Sequence, residues 1–563
     1  MNQDLSRTWM TDCLSSHENC RLEESSPLPT RVIDVQAGCA NQRCRIVETR
    51  GRTGRYVALS HCWGGAITPV LSDETIRDFF EDLPVSQLPA NFQDAVKITR
   101  DLGFQYLWVD SLCIRQDSKI DWQIESANMA AVYQNAAITL YAAASPGSKH
   151  GIFPRDSEAT LSCQRLPPCV SLSVAQAEEN QQEVRVQLLE EDDDEDLWKL
   201  DVSSPLSIRG WCLQELVLSP RRLICGRKQF YWQCLRGYHA ADGLPRCPGL
   251  RTPTLEFRDI TKQVNSVQSV SKEEVLFEYY QLVAKYSQRK LTFGSDKLPA
   301  FSGLAQKLHP VIGGEYIAGL WTADITSGLL WRSRDSSATH SRDYRAPSWS
   351  WAVTDEPLGF SIQFSIGQGL RPPGQWSAEL VSHSVKPANP YNPYGEVDSA
   401  QITIKAWCKR FICSSQRVTA VHDIQHPEVG TVRFDEDVRV DSRLPPSCPA
   451  LLVTTACGED NYLVSVLRGT DKGGSLTKSL EPGDFSSSEH IAVIIDSYEY
   501  FMGDKSLKQS QLILSCLVLR AVSGSDSTSS TWERVGYLEI RETTQLHKSN
   551  WMSTWHQQNI TMI

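Results

Sequence analysis

The chain has 563 residues, more than one hydrophobic core accommodates, so about two to four domains are expected. Its net charge of −11 excludes an extended nucleic-acid surface, which needs a basic footprint, and 41% hydrophobic with 22% charged residues excludes a disordered chain. No apolar run is long enough to span a bilayer and the opening residues lack the apolar segment of a secretory leader, so the 17 cysteines read as thiols of a cytoplasmic protein, the nucleus being equally compatible.

Residues 1–50 form an N-terminal segment containing Trp9, Cys13, His17 and Cys20, which recur at helical spacing, followed by Cys39 and Cys44. Two readings apply. Soft ligands at that spacing can hold zinc if Cys39 or Cys44 supplies a fourth donor. Alternatively, the segment is an amphipathic helix whose thiols only pack. The spacing matches no standard finger, so the packing reading is adopted and no metal ligand is assigned. A strand is expected over 28–35.

Residues 51–240 alternate in period. Tyr56-Val-Ala-Leu-Ser60 has the composition of a buried strand and runs into His61-Cys-Trp-Gly-Gly65. Paired glycines after a strand leave backbone N–H groups open to an anion. A helix is expected over 91–103, with Phe92, Ala95, Val96, Thr99 and Leu102 inward and Gly103 closing it. Leu107-Trp-Val-Asp-Ser-Leu-Cys-Ile114 reads as a strand delivering Asp110, Ser111, Arg115 and Gln116 at its end. Asp121 is expected to cap a helix reaching about Asn135, with Trp122, Met129, Val132 and Tyr133 inward, and 136–144 reads as a third strand. Strand–helix–strand–helix–strand with tight links predicts an α/β fold with a parallel sheet flanked by helices. Residues 146–205 read as an insertion, with seven consecutive acids at 190–196 forming a solvated loop. A short helix over 209–216 carries Trp211 and Glu215, and a hairpin over 222–234 follows.

Residues 241–397 read as a mixed helical region, with a helix in 272–293 and the aromatic segment Pro347-Ser-Trp-Ser-Trp-Ala352. Residues 398–563 read as a β-rich C-terminal domain, with strands at 400–407, 490–495 and 511–519.

Three segments together resemble the heterokaryon-incompatibility (HET) domain of filamentous fungi: Tyr56-Val-Ala-Leu-Ser-His-Cys-Trp-Gly64, the block 107–145, and Gly210-Trp-Cys-Leu-Gln-Glu215. The resemblance spans roughly residues 28–360. It implies a fungal intracellular protein of non-self recognition and programmed cell death. The order of motifs is also similar to the TIR domain, in whose catalytic members an acid of the last motif supports cleavage of the nicotinamide–ribose bond of NAD. Carried onto this chain, that acid is Glu215, and the serine ending the first strand is Ser60.

Breaking that bond develops oxocarbenium character on the ribose, which a nearby carboxylate stabilises more than it does the ground state. A pocket lined by Ser60, Trp63, Gly64, Asp110, Gln116 and Trp211 would then bind NAD. An indole of Trp63 or Trp211 would stack on a base, and the Gly64-Gly65 amides would meet the pyrophosphate. NAD is here a substrate, and no firm cofactor is implied. The rival role for Glu215 is a salt bridge to Arg209, Arg221 or Arg222. Under that rival the domain is a non-catalytic module that self-associates or binds a signalling partner, or serves as an auxiliary to a biosynthetic pathway. A third reading pairs His61 with Cys113 or Cys212 as a cysteine nucleophile.

Overall fold

The run 56–60 forms a strand buried at every position, near the centre of the first sheet. The structure is a computed structural model. It describes residues 3–20, 26–37, 43–153, 169–174, 182–187, 195, 197, 200, 203–242, 271–333, 343–360, 364–365, 369–370, 374–414, 430–434, 450–455, 461–466, 489–501, 510–522, 531–541 and 555–563. The chain divides into two compact units, Met1–Lys262 and Gln263–Ile563.

In chain order the first unit holds α1 (Gln3–Ser16), β1 (Arg31–Ala37), β2 (Arg43–Glu48), β3 (Tyr56–Ser60), α2 (Ile76–Glu81), α3 (Ala90–Asp101) and β4 (Tyr106–Trp108). There follow α4 (Asp110–Cys113), α5 (Lys119–Asn135), β5 (Ile138–Tyr141), the hairpin β6 (Cys169–Val174) and β7 (Gln182–Gln187), α6 (Trp211–Leu218), β8 (Arg221–Cys225), β9 (Phe230–Cys234) and β10 (Tyr238–Ala240). An eight-stranded sheet runs β10-β9-β8-β5-β3-β4-β1-β2.

Its centre is parallel, as the alternation of strands and helices requires: β3 pairs with β4 and with β5, and β5 with β8. The expectation of a parallel sheet is corrected at both sides. The β1–β4, β1–β2, β8–β9 and β9–β10 pairings are antiparallel, so the sheet is mixed. A hairpin needs only a tight turn, whereas another parallel strand needs a crossover, and hairpins finish each edge here.

The residues expected to face inward from α3 are buried, as are Met129, Val132 and Tyr133 of α5, whereas Trp122, expected with them, is half-buried. Two local expectations fail. The run 107–114 is not one strand: only its first two residues, Leu107 and Trp108, belong to β4, and Asp110 opens the short helix α4. The cap of α5 is Ser118, whose Oγ accepts from the Asp121 amide at 3.3 Å. Asp121 instead binds the Arg31 guanidinium and accepts from the Arg115 amide at 2.8 Å. Arg31 is almost fully buried, so its charge is matched at once by Asp121 and by Glu125.

The acidic run 190–196 lies outside the described residues except for Glu195. Its carboxylate accepts from the amides of Arg227 and Lys228 in the β8–β9 turn, at 2.7 and 3.3 Å. Residues 146–153 lie against the sheet unit, where Ile152 donates its amide to the buried Asp94 at 2.8 Å.

In the second unit a helix, Lys272–Ser287, begins with a capping box between Ser271 and Glu274 and carries Tyr279, Tyr280 and Tyr286 into an aromatic core. Trp349 and Trp351 of the predicted aromatic segment are fully buried there. The expected strands lie within Val397–Ser414, Glu489–Phe501 and Ser510–Ala521 of a nine-stranded, mostly antiparallel sheet. Among the described residues no helix is long and apolar enough to cross a membrane.

Candidate functional site

Parallel strands end together, so whatever follows β3 and β4 meets at one end of the sheet. Ser60 is the last residue of β3, and Asp110 lies two positions beyond β4. Helix α6 presses Cys212 and Leu216 against Tyr141 and Ile224, which leaves Glu215 facing the same end. The Ser60 hydroxyl donates to Glu215 Oε2 at 2.5 Å across 155 positions of sequence. Both side chains are buried.

Asp110 holds the second half of the cluster. Its Oδ2 accepts from Trp63 Nε1 at 2.8 Å, and its Oδ1 accepts from the Ser111 amide at 2.7 Å. His61 Nε2 lies 3.3 Å from the same Oδ1, and the imidazole packs edge-on to Phe92. Arg209 donates to the carbonyl of His61, beside both carboxylates.

Environment separates the two acids. Burial raises the pKa of Glu215, and the positive charge of Arg209 and the Ser60 hydrogen bond offset only part of that. Burial acts the same way on Asp110, but there the His61 contact and the Trp63 hydrogen bond prevail, and its pKa is lowered. Asp110 is also the more open of the two, with a quarter of its side chain exposed. The cluster therefore has a buried carboxyl inclined to hold its proton and a partly exposed carboxylate inclined to stay ionised.

The remaining candidates fall around this pair unevenly. Gln116 is exposed and donates to the Ile114 carbonyl at 2.8 Å, reaching the Asp110 carbonyl more loosely at 3.4 Å. Trp211 is half-buried and meets Trp122 edge-on with centroids 6.5 Å apart. Gly64 has a structural duty: at its φ of 69° a Cβ would come within 2.5 Å of the Gly147 Cα. Gly65, at φ 119°, borders open space.

Sequence reading had offered Arg209 as a partner for Glu215 but had not placed His61 beside Asp110, nor Arg209 on the His61 carbonyl. Their signal was present, since His61 follows Ser60 directly and Arg209 opens the Glu215 motif, but neither residue type announces a contact 49 or 148 positions away. Of the other arginines considered for Glu215, Arg221 donates to the Ala137 and Cys20 carbonyls, and Arg222 binds Gln233 and lies over the Tyr141 ring. The cysteine-nucleophile reading loses its basis at Cys113, whose thiol burial pushes up to about 12, and His61 addresses Asp110.

A groove of about 840 Å³ lies elsewhere, bordered by Met10 and Leu14 of α1, Arg55 and residues 102–106. It is at the opposite, amino-terminal end of β3 and β4 and contains none of these side chains.

Comparison with known families matches residues 56–215 to the family model described as Heterokaryon incompatibility protein (HET). The match begins at the first residue of β3 and ends on Glu215, so it encloses the whole cluster. No curated protein and no solved structure matches the chain.

Proposed function

We propose that this HET domain cleaves the nicotinamide–ribose bond of NAD, with Glu215 as the acid that supports the reaction, within a fungal non-self response ending in cell death. The observation carrying this reading is the Ser60–Glu215 hydrogen bond at the carboxyl ends of parallel strands, where α/β sheets take ligands. The reaction breaks the bond between ribose C1′ and the pyridinium nitrogen, whose electron pair leaves with nicotinamide. Water then adds to C1′ and releases a proton.

Positive charge accumulates on the ribose in the transition state, and an ionised Glu215 would stabilise it electrostatically. A carboxyl with a raised pKa is costly to ionise while only the protein surrounds it. The pyridinium of NAD brings positive charge with it, which favours the ionised form where it is needed. Ser60 would hold the carboxylate in position. Asp110, more open and ionised, would accept from ribose hydroxyls, while Trp63 and Trp211 offer ring faces to the bases. The direct test is release of free nicotinamide from NAD by the purified chain, compared with Glu215→Gln.

The burial of Glu215 favours a second reading, a non-catalytic module. Here the Ser60–Glu215 bond anchors α6 to the sheet. The more exposed Trp63, Asp110, Gln116 and Trp211 would form a binding surface for a signalling partner or a second copy. Retained signalling in Glu215→Gln, together with its loss in Trp63→Ala, would select this reading.

A further inference from the structure

The four donor atoms of Cys13, His17, Cys20 and Cys234 all lie within 4.8 Å of one another. The three cysteines are free and buried. We propose that they form a closed structural zinc site, independent of the chemistry at Glu215, that ties the amino-terminal helix to the far edge of the sheet.

The local structure is suited to the task. Cys13 lies in the last turns of α1. The chain then winds on, with the His17 amide bonded to the Cys13 carbonyl at 3.2 Å and the Cys20 amide to the His17 carbonyl at 2.9 Å. Three donors are thereby held on one short, wound stretch. The fourth is at the end of β9, and its Sγ lies 3.6 Å from His17 Nδ1 across 217 positions of sequence. The expectation that Cys39 or Cys44 completes the set is replaced. Cys39 lies outside the described residues, and Cys44 Sγ instead accepts from Arg100 at 3.1 Å.

Zinc bonds thiolate sulfur at about 2.3 Å in a tetrahedron, which sets neighbouring sulfurs about 3.8 Å apart. Donors mutually within 4.8 Å need only small adjustments to surround one ion. Four protein donors with no open position describe a structural centre and not a catalytic one.

The surroundings fit a thiolate cluster. The turn after β9 folds back so that the Arg236 amide donates to Cys234 Sγ at 3.4 Å and the Cys234 amide to the Gly237 carbonyl at 2.9 Å. Buried Arg221 donates to the Cys20 carbonyl at 2.6 Å. Binding would displace three thiol protons to solvent. Zinc with three thiolates and a neutral imidazole carries a net single negative charge, which the adjacent guanidinium balances. Trp9 of α1 stacks on His239 of β10, so packing and coordination fasten α1 to the adjacent strands β10 and β9. In sequence the four residues bracket positions 56–215, the whole family match.

The test uses the full chain purified without chelator. Elemental analysis should find about one zinc per chain. A mercurial thiol reagent should release it, and removal should lower the melting temperature. Cobalt exchanged into the site should show the sulfur-to-cobalt charge-transfer and strong d–d bands of tetrahedral thiolate coordination. Cys234→Ser should lose the ion, and Cys44→Ser should keep it. If Cys234→Ser does not fold, stoichiometry and the cobalt spectrum of the unaltered chain decide. Zinc-free protein that takes up no cobalt, loss of metal in Cys44→Ser, or a disulfide between any two of Cys13, Cys20 and Cys234 would overturn the assignment.

Discussion

Ser60 and Glu215 stand 155 residues apart in sequence and 2.5 Å apart in space, joined by one hydrogen bond between the end of a central strand and a short helix. The contact fixes α6 to the sheet and places a buried acid beside a more open one, Asp110. The two acids should respond to pH in opposite senses.

Glu215 has a raised pKa in the fold, so the folded state binds its proton more tightly than the unfolded chain does. Its contribution to stability is most favourable below the ordinary glutamate range and declines as pH rises from there toward its folded pKa. Glu215→Gln removes that penalty. At neutral pH the variant should melt at or slightly above the temperature of the unaltered chain, and the difference should shrink as pH falls. A lower melting temperature at neutral pH would mean that the ionised carboxylate holds the fold together.

Asp110 behaves in reverse. Its pKa is lowered in the fold, so it contributes stability above the ordinary aspartate range and loses it as pH falls through the folded pKa. Asp110→Asn should lower the melting temperature at neutral pH, and the gap to the unaltered chain should close in acid. Thermal scans of both across a pH series check the sign.

Gly64 and Gly65 separate packing from ligand binding. A side chain at Gly64 meets the Gly147 backbone as well as an unfavourable φ, whereas Gly65 borders open space and suffers the φ alone. Gly65→Ala should cost about 1–3 kcal/mol from strain, and Gly64→Ala more. Denaturant titration of the two would show it, and equal costs would place the Gly147 contact in doubt.

Glu195 accepts two amides at the β8–β9 turn, so Glu195→Ala should destabilise the first unit by about 1–2 kcal/mol. Removing 190–196 should cost at least as much, contrary to what the expected solvated loop implies. An unchanged denaturation midpoint would show that Glu195 contributes nothing at the turn.

The parallel centre of the sheet was legible because β3 and β5 are short, largely apolar runs buried throughout, and the helix α3 between them shows a clear apolar face. The 107–114 run misled because Leu112 and Cys113 are as buried as the strand before them, and a short apolar run does not distinguish strand from helical turn. Edge strand β2 escaped notice: Arg43 and Arg45 alternate with Cys44 and Ile46, a half-exposed pattern among charges. The polar ends of β3 and β4 and the Glu215 motif were visible as candidates. The roles of His61, Arg209 and Cys234 were not, because each depends on a partner dozens to hundreds of positions away that only the closed sheet supplies.

The most direct measurement is the rate of nicotinamide release from NAD by the purified chain and by Glu215→Gln. The account predicts turnover by the unaltered chain and a loss of about a hundredfold or more in the variant, the scale of losing one preorganised electrostatic contact, with the fold intact. No nicotinamide from the folded chain at any NAD concentration, or equal rates in the two proteins, would contradict it.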